Sequence, residues 1–294
     1  MSHGKLDEWK GHLMVGRSSP PLDDFGLTAR YRPRRYSALW EQPQQDWREK
    51  LASALECNPG DSPPGFFFRA DDIGSGGRHF HALCELFRRH NTPLAMAVVP
   101  AWLTAARIEL LFAAAPLEES LWGWHQHGWR HINLQQAGRK SEFGDQRPIE
   151  KQWQDISQGS KKMTKVFGNR SIPVFTPPWN RLSTATLKVL KELHFRAVSL
   201  DGPMPGTVKH GVGFKNLRIQ LDLHTRKEKN GEADFDNLLG ELCGLMTQKA
   251  PVGIMLHHQR MTLFAFEFLD ELLHCIKHKL YAQCLSFEEL LENE

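Results

Sequence analysis

The feature that most limits the fold is a repeated alternation of short apolar runs and amphipathic stretches, with chemically able residues at the run ends. Phe66-Phe67-Phe68 reads as a buried strand running into Asp71-Asp72, and Arg78 to His90 as a helix with Phe80, Cys84 and Phe87 at helical spacing. The pattern repeats as a strand over Pro93–Val99, a helix over Ala105–Ala114 and a strand over Leu121–Trp124. A helix over Glu150–Phe167 follows, with Trp153, Ile156 and Met163 along one side. Then come a strand at Val174-Phe175, a helix over Thr184–Leu193 and strands over Arg196–Leu200 and Leu217–Leu223. A helix over Asp236–Lys249, a strand over Val252–Leu256 and a helix over Phe264–His278 end the series. Such alternation predicts an α/β fold, a parallel sheet covered by helices and either open or closed into a barrel.

Residues 1–64 stand outside this pattern. They are rich in Pro, Gln and Arg, and they hold one expected helix, from about Gln45 to Glu56, before the breaker Asn58-Pro59-Gly60-Asp61-Ser62-Pro63-Pro64. We read them as an N-terminal extension to an α/β unit over 65–294. Lys and Arg number 37 against 34 Asp and Glu, a net +3, so no strong field points to nucleic acid or an acidic membrane. No run is long and apolar enough to span a bilayer, and Met1–Glu8 lacks the apolar core of a secretory signal, which predicts a cytoplasmic protein. Cys57, Cys84, Cys243, Cys275 and Cys284 are odd in number and scattered. They read as small buried hydrophobes in a reducing compartment, not as a disulfide frame.

In parallel α/β folds the ligand site lies at the carboxyl ends of the strands. The polar residues expected there are Asp71-Asp72, His125-Gln126-His127, Thr176-Pro177-Pro178-Trp179, Asp201, Asp222 with His224, and His257-His258-Gln259. His127 and His131 stand four apart, a spacing that presents two imidazoles to one divalent metal. About one such pair is expected by chance among 15 histidines. His274 and His278 form a pair of that kind inside a helix, away from any strand end. Asp23-Asp24 is likewise an ordinary acidic pair, whereas Asp71-Asp72 closes an aromatic strand. Two carboxylates so close keep normal acidity only if a cation holds one of them, leaving the other to take a proton. Of His257 and His258, strand alternation lets one face the site; we choose His257 as general acid. Trp122, Trp124, Trp129 and Trp179 cluster in the two central motifs; core packing accounts for some of them, and a planar wall for a sugar ring or another amphipathic ligand accounts better for the clustering.

Taken in order, these segments resemble the polysaccharide deacetylase family, the NodB-homology domains of carbohydrate esterase family 4. Phe68 to Gly74 is similar to its Thr-Phe-Asp-Asp-Gly motif, and His127-Gly128-Trp129-Arg130-His131 to its His-Ser/Thr-x-x-His motif. Thr176-Pro177-Pro178-Trp179 resembles Arg-x-Pro-Tyr, and Met255-Leu256-His257 resembles the terminal Leu-x-His. The resemblance implies a distorted (β/α) barrel over 65–294. It implies one divalent metal, zinc by preference, on Asp72, His127 and His131, with Asp71 as base and His257 as acid.

Three departures stand out. Gly128 replaces the hydroxyl residue that braces the ligand loop, and Thr176 replaces the arginine beside the catalytic aspartate, for which Arg69 or Arg181 is the substitute. The family's Asp-x-x-Asp-Trp motif is absent, which leaves Asp201 or Asp222 to orient His257. His125, Pro177, Trp179, His224 and His258 complete the expected surroundings. The implied reaction is metal-dependent hydrolysis of an N-acetyl group on a carbohydrate or sugar precursor. A non-catalytic metal- or sugar-binding relative, or an amidohydrolase on a non-sugar acyl amide, are the alternatives.

Overall fold

Strand β1 (Phe66–Ile73) organises the molecule. Phe66, Phe68 and Ala70 face outward into the layer shared with the helices, while Phe67 belongs to a separate inner cluster. This is the period-2 alternation of a strand buried on both faces. The computed structural model describes residues 21–57, 62–206, 214–226 and 230–292. Met1–Glu8 and Asn58–Asp61, on which the leader and chain-breaker readings rest, lie outside the described residues.

The remaining strands are β2 (Leu94–Val98), β3 (Trp122–His127), β4 (Ser171–Thr176), β5 (Ala197–Val198), β6 (Lys215–Asn216), β7 (Ile219–Asp222) and β8 (Val252–Leu256). All pair in parallel, in the order β6-β5-β4-β3-β2-β1-β8-β7. One run of chain supplies both edges: Lys215–Asn216 pairs with β5, and Ile219–Asp222 pairs with β8. The sheet thereby curls into a distorted (β/α) barrel. The helices are α1 (Trp47–Leu55), α2 (Arg78–Arg89), α3 (Ala105–Ala114), α4 (Ile149–Phe167), α5 (Thr184–Glu192), α6 (Gly231–Leu245), α7 (Leu263–His274) and α8 (Phe287–Glu292).

Inside the barrel, Ala95, Ile172, Val174, Ala197, Ile219 and Met255 pack around Phe67, and Phe287 and Leu290 of α8 join them. The Phe287 ring lies 5.9 Å from Phe67 and 4.9 Å from His125. Helix α8, which the sequence pattern did not suggest, thus fills the barrel interior below the strand ends. Among the described residues no helix is long and apolar enough to cross a membrane.

Several expectations need correction. The 217–223 strand shortens to β7 with a separate two-residue β6 just before it, the 196–200 strand shrinks to two residues, and β3 runs on through His127. Helix α6 starts five residues early because the Asn230 side chain caps it, accepting from the N–H groups of Glu232 and Ala233. The last long helix stops at His274 and passes into a π turn over Cys275–Lys279. Trp153 faces solvent, 41% exposed, whereas Ile156 and Met163 of the same helix are buried. Cys57 and Cys243 form a disulfide, so that pair is not two free thiols; Cys84, Cys275 and Cys284 are free.

The disulfide ties the end of the N-terminal segment to α6. Trp40, Leu51 and Leu55 of that segment are buried in the outer core, and the Trp40 indole donates to Leu223 O at 2.6 Å. Residues 21–57 therefore pack on the barrel beside β7 and α6. With one pair oxidised, cysteine usage no longer favours a reducing compartment.

Candidate active site

Parallel strands bring their carboxyl ends to one rim, and β1 reaches it in an unusual way. The register with β2 shifts between Ala70 and Ile73, and Asp72 sits in the left-handed region at φ 61°. Strict alternation would turn Asp72 outward toward the helices. The bulge re-aims it, so that two consecutive carboxylates serve the same rim.

Asp71 points into the barrel with Arg69, two residues before it. The guanidinium donates from Nε to Asp71 Oδ1 at 2.8 Å and from Nη2 to Oδ2 at 2.9 Å, a forked pair with both side chains buried. Its other N–H groups reach Ser199 O and Oγ at 2.9 and 2.8 Å and Asn180 Oδ1 at 2.8 Å. Every guanidinium donor is thus engaged. Burial pushes the Asp71 carboxyl up, but the charges of Arg69, His127 and His257 outweigh it and hold the group below its usual range. Arg69 takes the place that Thr176 leaves open. Arg181 does not: its Nη1 donates to Lys140 O at 3.0 Å.

Asp72 Oδ1 lies 3.1 Å from His131 Nε2 and 3.5 Å from His127 Nε2, and the three ligand atoms fall within 4.8 Å of one another. The backbone fixes which nitrogen His127 presents. Its Nδ1 is 2.9 Å from Thr176 O and donates there, which leaves Nε2 toward Asp72. His131 reaches the same point from a loop, at φ 58°, with its ring 4.5 Å from Trp179 and 5.9 Å from Trp102. Asp72 Oδ1 is buried and, among the described residues, has no hydrogen-bond partner beyond its approach to the two imidazoles. An orphaned carboxylate oxygen facing two imidazole nitrogens fits a divalent cation with further positions open. No other such cluster of three occurs among the described residues.

His257 follows β8 at the rim, half-buried, and its charge reaches both aspartates. Its Nδ1 has no partner among the described residues. Asp222 does not orient it: Oδ1 accepts from the N–H groups of His224 and Thr225, both at 3.0 Å, and Oδ2 accepts from the Thr225 hydroxyl. Asp201 accepts from Asn180 Nδ2 at 3.1 Å and so joins the Arg69 network instead. What holds His257 is its backbone, whose N–H donates to His224 Nδ1 at 3.2 Å.

His125 lies beneath the rim, on the inner face of β3, with Nε2 2.9 Å from Thr176 Oγ1. His258 forms part of a cavity of about 480 Å³ that opens beside Asp72, together with Gly74, Trp102, Arg107 and Gln259. Pro177 is buried, and Trp179 stands half-buried in a left-handed turn at φ 57°. The tryptophan cluster divides. Trp122 and Trp124 belong to the outer core, where Trp124 stacks on Phe167 at 4.6 Å, and Trp129 is also buried. Trp179 stays at the site, and Trp102, which the sequence did not single out, faces it across His131. Its position depends on Gly74, where a Cβ would come 2.6 Å from the Trp102 ring.

Burial lowers His125 and His258 to about 3 and puts His224 well below its usual value. The unfolded chain takes up these protons below about pH 6.5, while the folded protein refuses them until far lower pH. Stability of the metal-free protein is therefore expected to fall as pH drops from 6.5 toward 3, by up to about 1.4 kcal/mol per pH unit for each histidine. His127 opposes this: burial lowers its pKa, but Asp72 and Asp71 outweigh that and raise it. Urea midpoints at pH 7 and pH 5 measure the net effect, and a midpoint that does not fall on acidification contradicts it.

No family model matches the sequence, and no curated protein does. Solved structures do match. One, assigned as a polysaccharide deacetylase from Mycobacterium smegmatis, is 16% identical with a TM-score of 0.53, over 73% of this chain and 76% of that one. Another is the Xyl-CE4 domain of a multidomain xylanase from the hindgut metagenome of Trinervitermes trinervoides. It is 11% identical with a TM-score of 0.50, over 78% of this chain and 90% of that one. The chain has the distorted (β/α) barrel fold of the polysaccharide deacetylases of carbohydrate esterase family 4.

Proposed function

We propose that this protein is a metal-dependent deacetylase that hydrolyses the N-acetyl group of a carbohydrate or sugar precursor, with zinc as the preferred ion. Fold alone does not carry activity. The observation that carries this reading is the convergence of Asp72, His127 and His131 on one point beside an aspartate already paired with a buried arginine.

In this mechanism Asp72, His127 and His131 hold the ion, which when bound supplies Lewis-acid polarisation and eases ionisation of water near neutral pH. Asp71 takes the proton from the attacking water. Arg69 keeps Asp71 ionised before substrate arrives and fixes its orientation. His257 gives a proton to the amine nitrogen as the carbon–nitrogen bond breaks, so acetate and a free amine leave. A backbone N–H of the turn at Trp179 serves the carbonyl oxygen as charge builds on it. Trp102 and Trp179 supply apolar faces for a sugar ring beside His131.

Acetate release from a panel of N-acetylated sugars, with zinc-loaded and chelator-treated protein, tests the reading. We expect release from the loaded protein alone. Bound zinc with no acetate from any sugar overturns the assignment, in favour of a binding module or an amidohydrolase on another acyl amide.

A further inference from the structure

The loop that carries His131 is held from beneath by a residue no motif contains. Glu142 is fully buried, and its carboxylate accepts three consecutive backbone N–H groups: Trp129 at 3.3 Å, Arg130 at 2.8 Å and His131 at 3.1 Å. Successive N–H groups of this kind form a concave anion site. Here the chain fills it with its own side chain.

Gly128 belongs to the same arrangement. It sits at φ 58°, and a Cβ there would come 2.4 Å from Glu142 Oε2 and 2.6 Å from Pro178. A hydroxyl residue at 128 therefore cannot coexist with Glu142 in its present place. The glycine that departs from the His-Ser/Thr-x-x-His pattern makes room for the carboxylate.

Charge adds a second argument. A buried carboxylate is expensive without a counter-charge, and among the described residues no Lys, Arg or His forms an ion pair with Glu142. Nearby, Asp71 is already neutralised by Arg69. Asp72, in contact with the imidazoles, and Glu142, behind the loop, place a carboxylate on either side of the His131 ligand segment.

Resting on the metal-centre reading above, we propose that Glu142 is a positioning residue that sets metal affinity. It fixes the backbone of Trp129–His131, aims the His131 imidazole, and supplies the second negative charge behind the ligand set. Its partners are backbone groups of the ligand loop, so its effect on the ion passes through His131.

The test compares wild type with Glu142→Gln by titrating Co²⁺ into the metal-free proteins, following visible absorption, and by melting both without metal. Glu142→Gln is expected to bind Co²⁺ about 10–100-fold more weakly. Its metal-free melting temperature is expected to fall as well, because the amide nitrogen of Gln is a donor and sets itself against a backbone N–H that Glu142 now accepts. A merely structural brace gives the lower melting temperature with unchanged Co²⁺ affinity, and that result overturns the proposal. If Glu142→Gln does not fold, Glu142→Asp decides. It keeps the charge with a shorter reach, and wild-type affinity in it overturns the positioning role. A wild type that takes up no Co²⁺ sinks the metal-centre reading itself, a distinct failure.

Discussion

Arg69→Met is expected to destabilise the protein by about 3–5 kcal/mol, the usual effect of removing one partner from a buried ion pair. Arg69 is 0% exposed, and its removal leaves the Asp71 carboxylate in the barrel without its fork. The arginine also satisfies Ser199 and Asn180, so those groups lose a donor at the same time. The lowered pKa of Asp71 means that the pair stabilises the fold above the carboxyl's ordinary value and stops doing so as pH falls through the folded value. In Arg69→Met the carboxyl rises and protonates, so turnover falls together with stability. Arg69→Lys is not a remedy, because an ammonium has no forked geometry. The double variant Arg69→Met/Asp71→Asn removes both charges and should recover much of the lost stability while remaining inactive. Urea unfolding of the two variants checks this, and a single variant as stable as wild type contradicts it.

Asp72→Ala and His131→Ala are expected to lose the metal and, with it, activity down to the background rate. Each removes one of only three ligand atoms, so the loss of affinity should exceed the roughly 10–100-fold that changes behind a ligand bring. The metal-free fold should survive, since among the described residues Asp72 Oδ1 contacts only the two imidazoles with which it would share an ion. Affinity in the wild type should also fall as pH drops, because ligands must be deprotonated to bind. His127 makes this start early, its pKa being raised by Asp72 and Asp71 against burial. Metal content after dialysis against trace zinc measures all three effects. Stoichiometric zinc in Asp72→Ala contradicts the ligand assignment.

Much of the architecture was legible because burial writes a clear pattern. Strand β8 and helix α3 begin and end where the apolar runs do, at Val252–Leu256 and Ala105–Ala114. Asp71, Asp72, His127, Trp179 and His257 lie around one rim because parallel strands deliver them there, whereas His125 lies beneath it and Gln126 packs against α4. What stayed hidden depends on contacts between distant segments. Helix α8 is short, and only the barrel interior that receives Phe287 gives it a reason to form. The Cys57–Cys243 bond joins residues 186 positions apart, and no local spacing encodes it. Trp122 and Trp124 alternate on the same side of β3 as the outer core, so their clustering reflected packing and not the site.

At the site itself, sequence named the residues that converge better than their supports. In an unbroken strand adjacent aspartates would take opposite faces, and the left-handed turn at Asp72 resolves that with a bulge no composition predicts. Asp222 looked like the partner of His257, but a side chain two residues from free backbone N–H groups closes its own turn first. Glu142 lies 11 residues beyond His131 in an irregular stretch, and the one hint of it was the glycine at 128. Arg69 was readable in principle: in a strand, residues two apart share a face, so an arginine at 69 and an aspartate at 71 must meet.

The account rests most on the two aspartates doing different work, and Asp71→Asn separates them directly. Zinc content and acetate release, measured on one preparation, should show a full complement of metal and turnover reduced about 10²–10⁴-fold, the usual contribution of a general base. Turnover near the wild-type rate in zinc-loaded Asp71→Asn would contradict the account.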